Sequence, residues 1–157
     1  MTRAPIGPAR GGGVTLRLPD EVRRTLAEMA RQLGELYRSD EAADDPAVAR
    51  LFPTAYLEDP MANIEFDSSM GDGLREGRLE AIAVVERTAV APRLTGVEAS
   101  AWLTTLNDAR LVLGTRLGVT EESDEGDFDE DERTAATYQT YLMLSAVVDL
   151  LVEAMSP

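Results

Sequence analysis

Between Glu121 and Glu132, nine of twelve residues are carboxylic acids: Glu121, Glu122, Asp124, Glu125, Asp127, Asp129, Glu130, Asp131 and Glu132. Phe128 is the one large apolar residue among them. Carboxylates at this density can ligate a hard cation through oxygen, or they can face a basic partner. The first chemistry has a spacing test, and the run fails it. A twelve-residue calcium loop opened at Asp127 places Asp129 and Asp131 correctly. It then puts Glu132 where the tight turn needs Gly, and Tyr138 where a bidentate Glu must close the site. No metal site is expected. Left to solvent, such a run is a self-repelling loop. As a site, the ten residues just named form a candidate docking surface for a basic partner, with Phe128 as its apolar contact, and this reading is preferred over loose Mg²⁺ or Ca²⁺ binding.

Absences limit the rest of the chemistry. The chain has no Cys, no His and no Lys; all fifteen basic residues are Arg. Thiolate nucleophiles, disulfides, imidazole bases, zinc sites, Schiff bases and phosphate-loop lysines are therefore excluded. Carboxylate acid–base work, hydroxyl chemistry and oxygen-ligated metals are what remain. Gly71-x-Gly73-x-x-x-Gly77 misses the spacing of nucleotide-binding loops, follows a helix rather than a strand, and reads as a bend. No carboxylate pair has a spacing suited to glycoside chemistry. Neither catalysis nor a cofactor is expected. Ala is abundant as well, so the all-Arg set reads as a GC-rich coding bias rather than selection for forked hydrogen bonds.

The other conspicuous charge is Arg110. At 100° per residue from Trp102, Ala109, Leu113, Leu106, Leu117 and Leu103 share one arc of about 120°, and Arg110 falls inside it. A buried arginine needs a partner, because an unpaired buried charge costs several kcal/mol. Asp149 and Glu153 on the last helix are the expected carboxylates, with Glu65 or Asp67 next. The favoured role is a buried ion pair, Arg110 with Asp149 and Glu153; anion binding is the alternative.

These residues must be held by a scaffold. A chain of 157 residues suits one domain. Residues 1–13, with Gly11-Gly12-Gly13, read as a disordered tail, and 14–157 as a single helical domain with the acidic loop at 119–132. The predicted class is all-α, a compact bundle of about five helices with one or two very short strands near Val14–Leu18 and Arg93–Thr95. Pro19-Asp20 opens a helix with an apolar stripe at Val22, Leu26, Met29, Leu33 and Leu36. Asp45-Pro46 and Asp59-Pro60 open two more, ending near Phe52 and Gly71-Asp72-Gly73. Leu74–Val90 follows. Thr95-x-x-Glu98 is a capping box ahead of the Trp102 helix, and Gly118 is its C-cap. The two extended pieces are expected to pair as a tiny sheet. The last helix, Glu132–Ala154, is apolar on nearly every side from Tyr141 to Val152, so it must be surrounded, either at the centre of the bundle or in a subunit interface.

Net charge is −14; outside the acid run 20 acids stand against 15 arginines, or −5. That balance argues against direct nucleic-acid binding, which needs a basic face. Met1–Gly13 lacks the apolar segment of a signal peptide, and the longest uncharged apolar stretch, Tyr141–Val148, is short of the roughly 20 residues that span a bilayer. A cytoplasmic protein without a membrane partner is expected; a homodimer is left open.

The block Trp102-Leu-Thr-Thr-Leu-Asn-Asp-Ala-Arg-Leu-Val-Leu-Gly-Thr-Arg-Leu-Gly-Val119, followed by acids, resembles an actinobacterial family. It is the "domain of unknown function 2017" family, also called the actinomycete oxidative stress regulators. Ala47-Val-Ala-Arg-Leu-Phe-Pro-Thr-Ala-Tyr56, Asp59-Pro60 and Leu74-Arg-Glu-Gly-Arg-Leu-Glu80 match in order, so the resemblance covers nearly all of the chain after Val14. It implies a non-enzymatic transcription co-regulator linked to oxidative stress, working by contact with a sigma factor or RNA polymerase. The alternatives are an adaptor in Clp-type proteolysis, with Clp components as partners, or a purely structural helical interaction module. Redox sensing in the family is attributed to a closely spaced Cys pair; this chain has none.

Overall fold

The computed structural model of the chain describes residues 4–39, 75–120, 122–123, 125–128 and 131–156. The two helices expected between Asp45 and Gly73, the glycine bend, and the alternative partners Glu65 and Asp67 lie outside the described residues. Within them the fold is mostly helical with a small antiparallel sheet, as the periodicities indicate. Four helices are described, against the expected five or so: α1 (Asp20–Arg38), α2 (75–88), α3 (Gly96–Leu117) and α4 (Glu132–Met155).

The sheet holds three strands in spatial order, β1 (Ile6–Pro8), β2 (Val14–Leu16) and β3 (Arg93–Leu94). The expected pairing of the two extended pieces is present, with Val14 opposite Leu94, Thr15 opposite Arg93, and the Leu16 N–H donating to Pro92 O at 2.8 Å. The tail is corrected: residues 6–8 form a strand that pairs with β2, Ile6 opposite Leu16, and Ile6 is buried. Its three glycines make the turn of a hairpin. Gly11, Gly12 and Gly13 all have positive φ, which side-chain-bearing residues rarely adopt. At Gly13 a Cβ would lie 2.1 Å from Leu94 O, so the approach of β3 requires glycine as well.

α3 begins and ends on the residues that its sequence signals name. Thr95 Oγ1 accepts from the Glu98 N–H while Glu98 returns a carboxylate to the Thr95 N–H, and Gly118 caps the other end in the left-handed region at φ 72°. This helix, not the last one, is the centre of the fold: it packs on α1 on one side and along α4 on the other. Of the two places expected for α4, the centre of the bundle is therefore corrected. Leu144, Val147, Val148 and Leu151 enter the core, but Ala136, Ala146 and Val152 are exposed. The sheet covers part of α4 through β1 and β2.

Two side chains tie the corner where α2 ends. Arg23, on the first turns of α1, is buried with no carboxylate partner among the described residues, and its guanidinium donates to Leu16 O, Leu18 O, Ala89 O and Ala91 O at 2.7–3.2 Å. Carbonyls left over at a helix C-terminus carry partial negative charge and suit a cation. Nearby, the fully buried Trp102 Nε1 donates at 2.7 Å to Thr88 Oγ1, which donates onward to Val84 O at 2.6 Å.

Candidate functional site

The buried charge in α3 is Asp108. The helix buries Ala99, Trp102, Thr105, Leu106, Asp108, Ala109 and Val112, an arc centred about 60° from the leucine-rich one. Leucines on that flank are only partly buried because α1 and α4 clamp α3 from two sides and leave the flank between them half open. Arg110 sits there, half-buried, and donates at 2.5 Å to Asn107 Oδ1 on its own helix. Asp149 and Glu153 are exposed, and among the described residues no ion pair joins either to Arg110. The expected Arg110–Asp149–Glu153 pair is thus corrected.

Among the described residues, the ion pair with a buried carboxylate joins three helices. Arg78 of α2 pairs with Asp108 of α3, and the Tyr37 hydroxyl of α1 donates to the same carboxylate oxygen at 3.2 Å. Burial, reinforced by the adjacent Asp108 carboxylate, raises the Tyr37 phenol above its ordinary value near 10. Such a node fixes the register of three helices, because a slip of any one strands a charge in apolar surroundings. Beside it runs a groove of about 400 Å³ between α1 and α3, floored by Leu33, Leu36, Val112 and Leu113 and rimmed by Gln32, Glu35 and Arg116.

The described part of the acid run is anchored at two points. Residues Glu125–Phe128 form a 3₁₀ turn, and Phe128 is buried, its ring 4.4 Å from that of Tyr138. Tyr138 stacks in turn near Tyr141 at 6.1 Å. Tyr141 approaches α3 at Gly114, where a Cβ would come within 3.1 Å of its ring. Phe128 is therefore an anchor and not an outward contact, which corrects its place in the docking surface. One apolar ring in a run of acids has a strong drive to leave water, and the α4 aromatics offer it a seat. Asp131 is the N-cap of α4: its carboxylate accepts from the Thr134 N–H at 2.7 Å and from the Thr134 hydroxyl at 2.9 Å. The backbone bond from Thr134, then the hydroxyl one, lowers its pKa. Glu122, Asp127 and Glu132 are exposed. Glu121, Asp124, Asp129 and Glu130, with the side chain of Glu125, lie outside the described residues. Among the described residues no group of three or more acids is gathered as a metal site.

A family profile described as "Domain of unknown function (DUF2017)" matches residues 3–155 of the chain. No curated protein and no solved structure matches it.

Proposed function

The chain belongs to the DUF2017 family, and from that premise we propose that it is a non-enzymatic, cytoplasmic regulatory protein that acts by protein contact. In this reading it is a transcription co-regulator linked to oxidative stress, with a sigma factor or RNA polymerase as partner and no cysteine switch. The observation that carries the contact role is the anchored acid run. Phe128 pins the 3₁₀ turn onto Tyr138 and Asp131 caps α4, and Glu122, Asp127 and Glu132 are exposed around these two anchors. An anchored acidic surface meets a basic partner with less ordering cost than a free loop does, and it steers the encounter electrostatically.

Deleting residues 121–132 would remove the anchor and the cap together. The informative variant is Glu122→Gln/Asp127→Asn/Glu132→Gln, which keeps Phe128 and Asp131. In pull-downs from an actinomycete lysate, the unaltered chain is expected to recover a sigma factor or polymerase subunits, and the triple variant to lose them. Recovery of Clp components instead would make the chain a proteolysis adaptor. Recovery of neither overturns the regulatory reading.

A further inference from the structure

α4 is long and apolar enough to cross a membrane by length and composition, yet only 28 % of its most apolar eighteen-residue window is buried. Its inner side, Leu144, Val147, Val148 and Leu151, lies in the core. On a flank centred about 120° round the helix from it, 100° steps line up Ala136, Gln139, Leu142, Met143, Ala146 and Leu150 in one stripe. Ala136, Gln139 and Ala146 are exposed, and the other three are half-buried. The stripe itself carries no charge over about four turns. Acids bracket it: Glu132 at one end, Asp149 and Glu153 toward the other, all exposed. The one basic residue of the helix, Arg133, projects about 60° from Ala136 and about 80° or more from the other five.

We propose that this face docks a cationic amphipathic helix of another protein. Apolar side chains of the partner, spaced three and four apart, lie against Leu142, Met143 and Leu150. Its Arg or Lys residues at both ends meet Glu132 and the Asp149/Glu153 pair. The proposal rests on the reading of the chain as a protein-contact module and names the chemistry of the contact. Small residues support it, because Ala136 and Ala146 lower the surface enough for two helix axes to approach to about 8 Å.

Charge selects the occupant. A second copy related by a two-fold axis across the middle of the stripe would set Glu132 beside Glu153 of that copy. A two-fold axis parallel to the helix would set Glu132 on Glu132 and Asp149 on Asp149. Either symmetry brings like charges together twice. A helix with basic ends brings opposite charges together at both ends.

The test uses a fluorescein-labelled synthetic amphipathic peptide of about twenty residues, with a leucine stripe and arginines at both ends. Its twin carries glutamates at those ends. Each is titrated with the full chain by fluorescence anisotropy. The basic-ended peptide is expected to bind saturably and about tenfold or more tighter than its twin. The double variant Asp149→Arg/Glu153→Arg should remove that preference, since Glu132 still faces the other end, and Ala146→Glu should weaken the basic-ended peptide by about tenfold or more. All three positions are exposed, so the helix signal in circular dichroism should be retained. Equal binding of both peptides, binding of neither, or binding unmoved by Ala146→Glu would each overturn the proposal. So would a sedimenting dimer, or pelleting with phosphatidylcholine vesicles, that Ala146→Glu abolishes. Charge-dependent peptide binding alongside a lysate that yields no transcription or protease component would remove the regulatory role and leave the docking face intact.

Discussion

Asp108 and Arg110 are two residues apart and play opposite parts. Asp108 is buried and holds Arg78 and Tyr37, while Arg110 lies half-open with a neighbour on its own helix. Asp108→Ala removes the carboxylate that Arg78 and Tyr37 share and is expected to cost about 3 kcal/mol, at the low end for a broken buried pair because Arg78 retains some exposure. Arg110→Met should stay within about 0.5 kcal/mol. Urea unfolding of the two variants checks the contrast, and a large loss for Arg110→Met would restore it as a core anchor. Tyr37 adds a pH signature. Its folded pKa lies above that of an unfolded tyrosine, so its contribution is complete below pH 10 and declines as pH rises beyond that, where the unfolded chain releases the proton first. Tyr37→Phe should flatten this alkaline decline in melting temperature; an unchanged slope would show that the phenol does not titrate against folding. The node was illegible in the sequence for a plain reason. An Asp flanked by Asn107 and Ala109 reads as a solvent-facing residue, whereas Arg110 sits between leucines whose flank happens to be the half-open one.

At the level of elements, local signals read true and long-range ones were hidden. Thr95-x-x-Glu98 and Gly118 act within one turn of their own helix, so the ends of α3 could be placed from sequence alone. The β2–β3 pairing followed from two short extended pieces, each just ahead of a helix start. Strand β1 was masked because three consecutive glycines suit a floppy linker as well as a hairpin turn, and only Ile6 marks it as buried. Gly13→Ala tests the hairpin. Positive φ and the Leu94 carbonyl 2.1 Å from the new Cβ should together cost at least about 2 kcal/mol and unpair β3 from β2. Amide exchange at Leu16, whose N–H bonds Pro92 O, would accelerate; retained protection there would sink the account. Phe128 likewise marks the anchored segment in sequence but not the direction of its ring, because its seat, Tyr138, is ten residues away on another element. Phe128→Ala should speed exchange across the 3₁₀ turn while changing the global melting temperature far less than Asp108→Ala does.

Across the whole molecule, the charge of −14 is unevenly spread, since the acid run alone supplies nine negative charges. Self-repulsion of this size favours the expanded chain and is screened by salt over about 10 Å at 0.1 M. Stability to urea is expected to rise between low ionic strength and about 0.15 M sodium chloride, and the Glu122→Gln/Asp127→Asn/Glu132→Gln variant should show a smaller rise. An equal rise in both would locate the repulsion elsewhere. The all-helical outline was legible because periodic stripes are strong signals. The centre of the bundle was not, because composition marks α4 as the most apolar helix whereas packing gives that place to α3, between α1 and α4.

The packing of β1 and β2 against α4 also sets an order in time. The strand at residues 6–8 and the helix that begins at Glu132 are separated by roughly 125 residues, a large loop to close before the contact is rewarded. During synthesis the hairpin therefore emerges with its core-facing side uncovered and stays so until the final helix leaves the ribosome. Closure of the core therefore waits on the final helix, and a nascent chain halted before Glu132 should be cleaved by protease within residues 6–16 while the full chain resists.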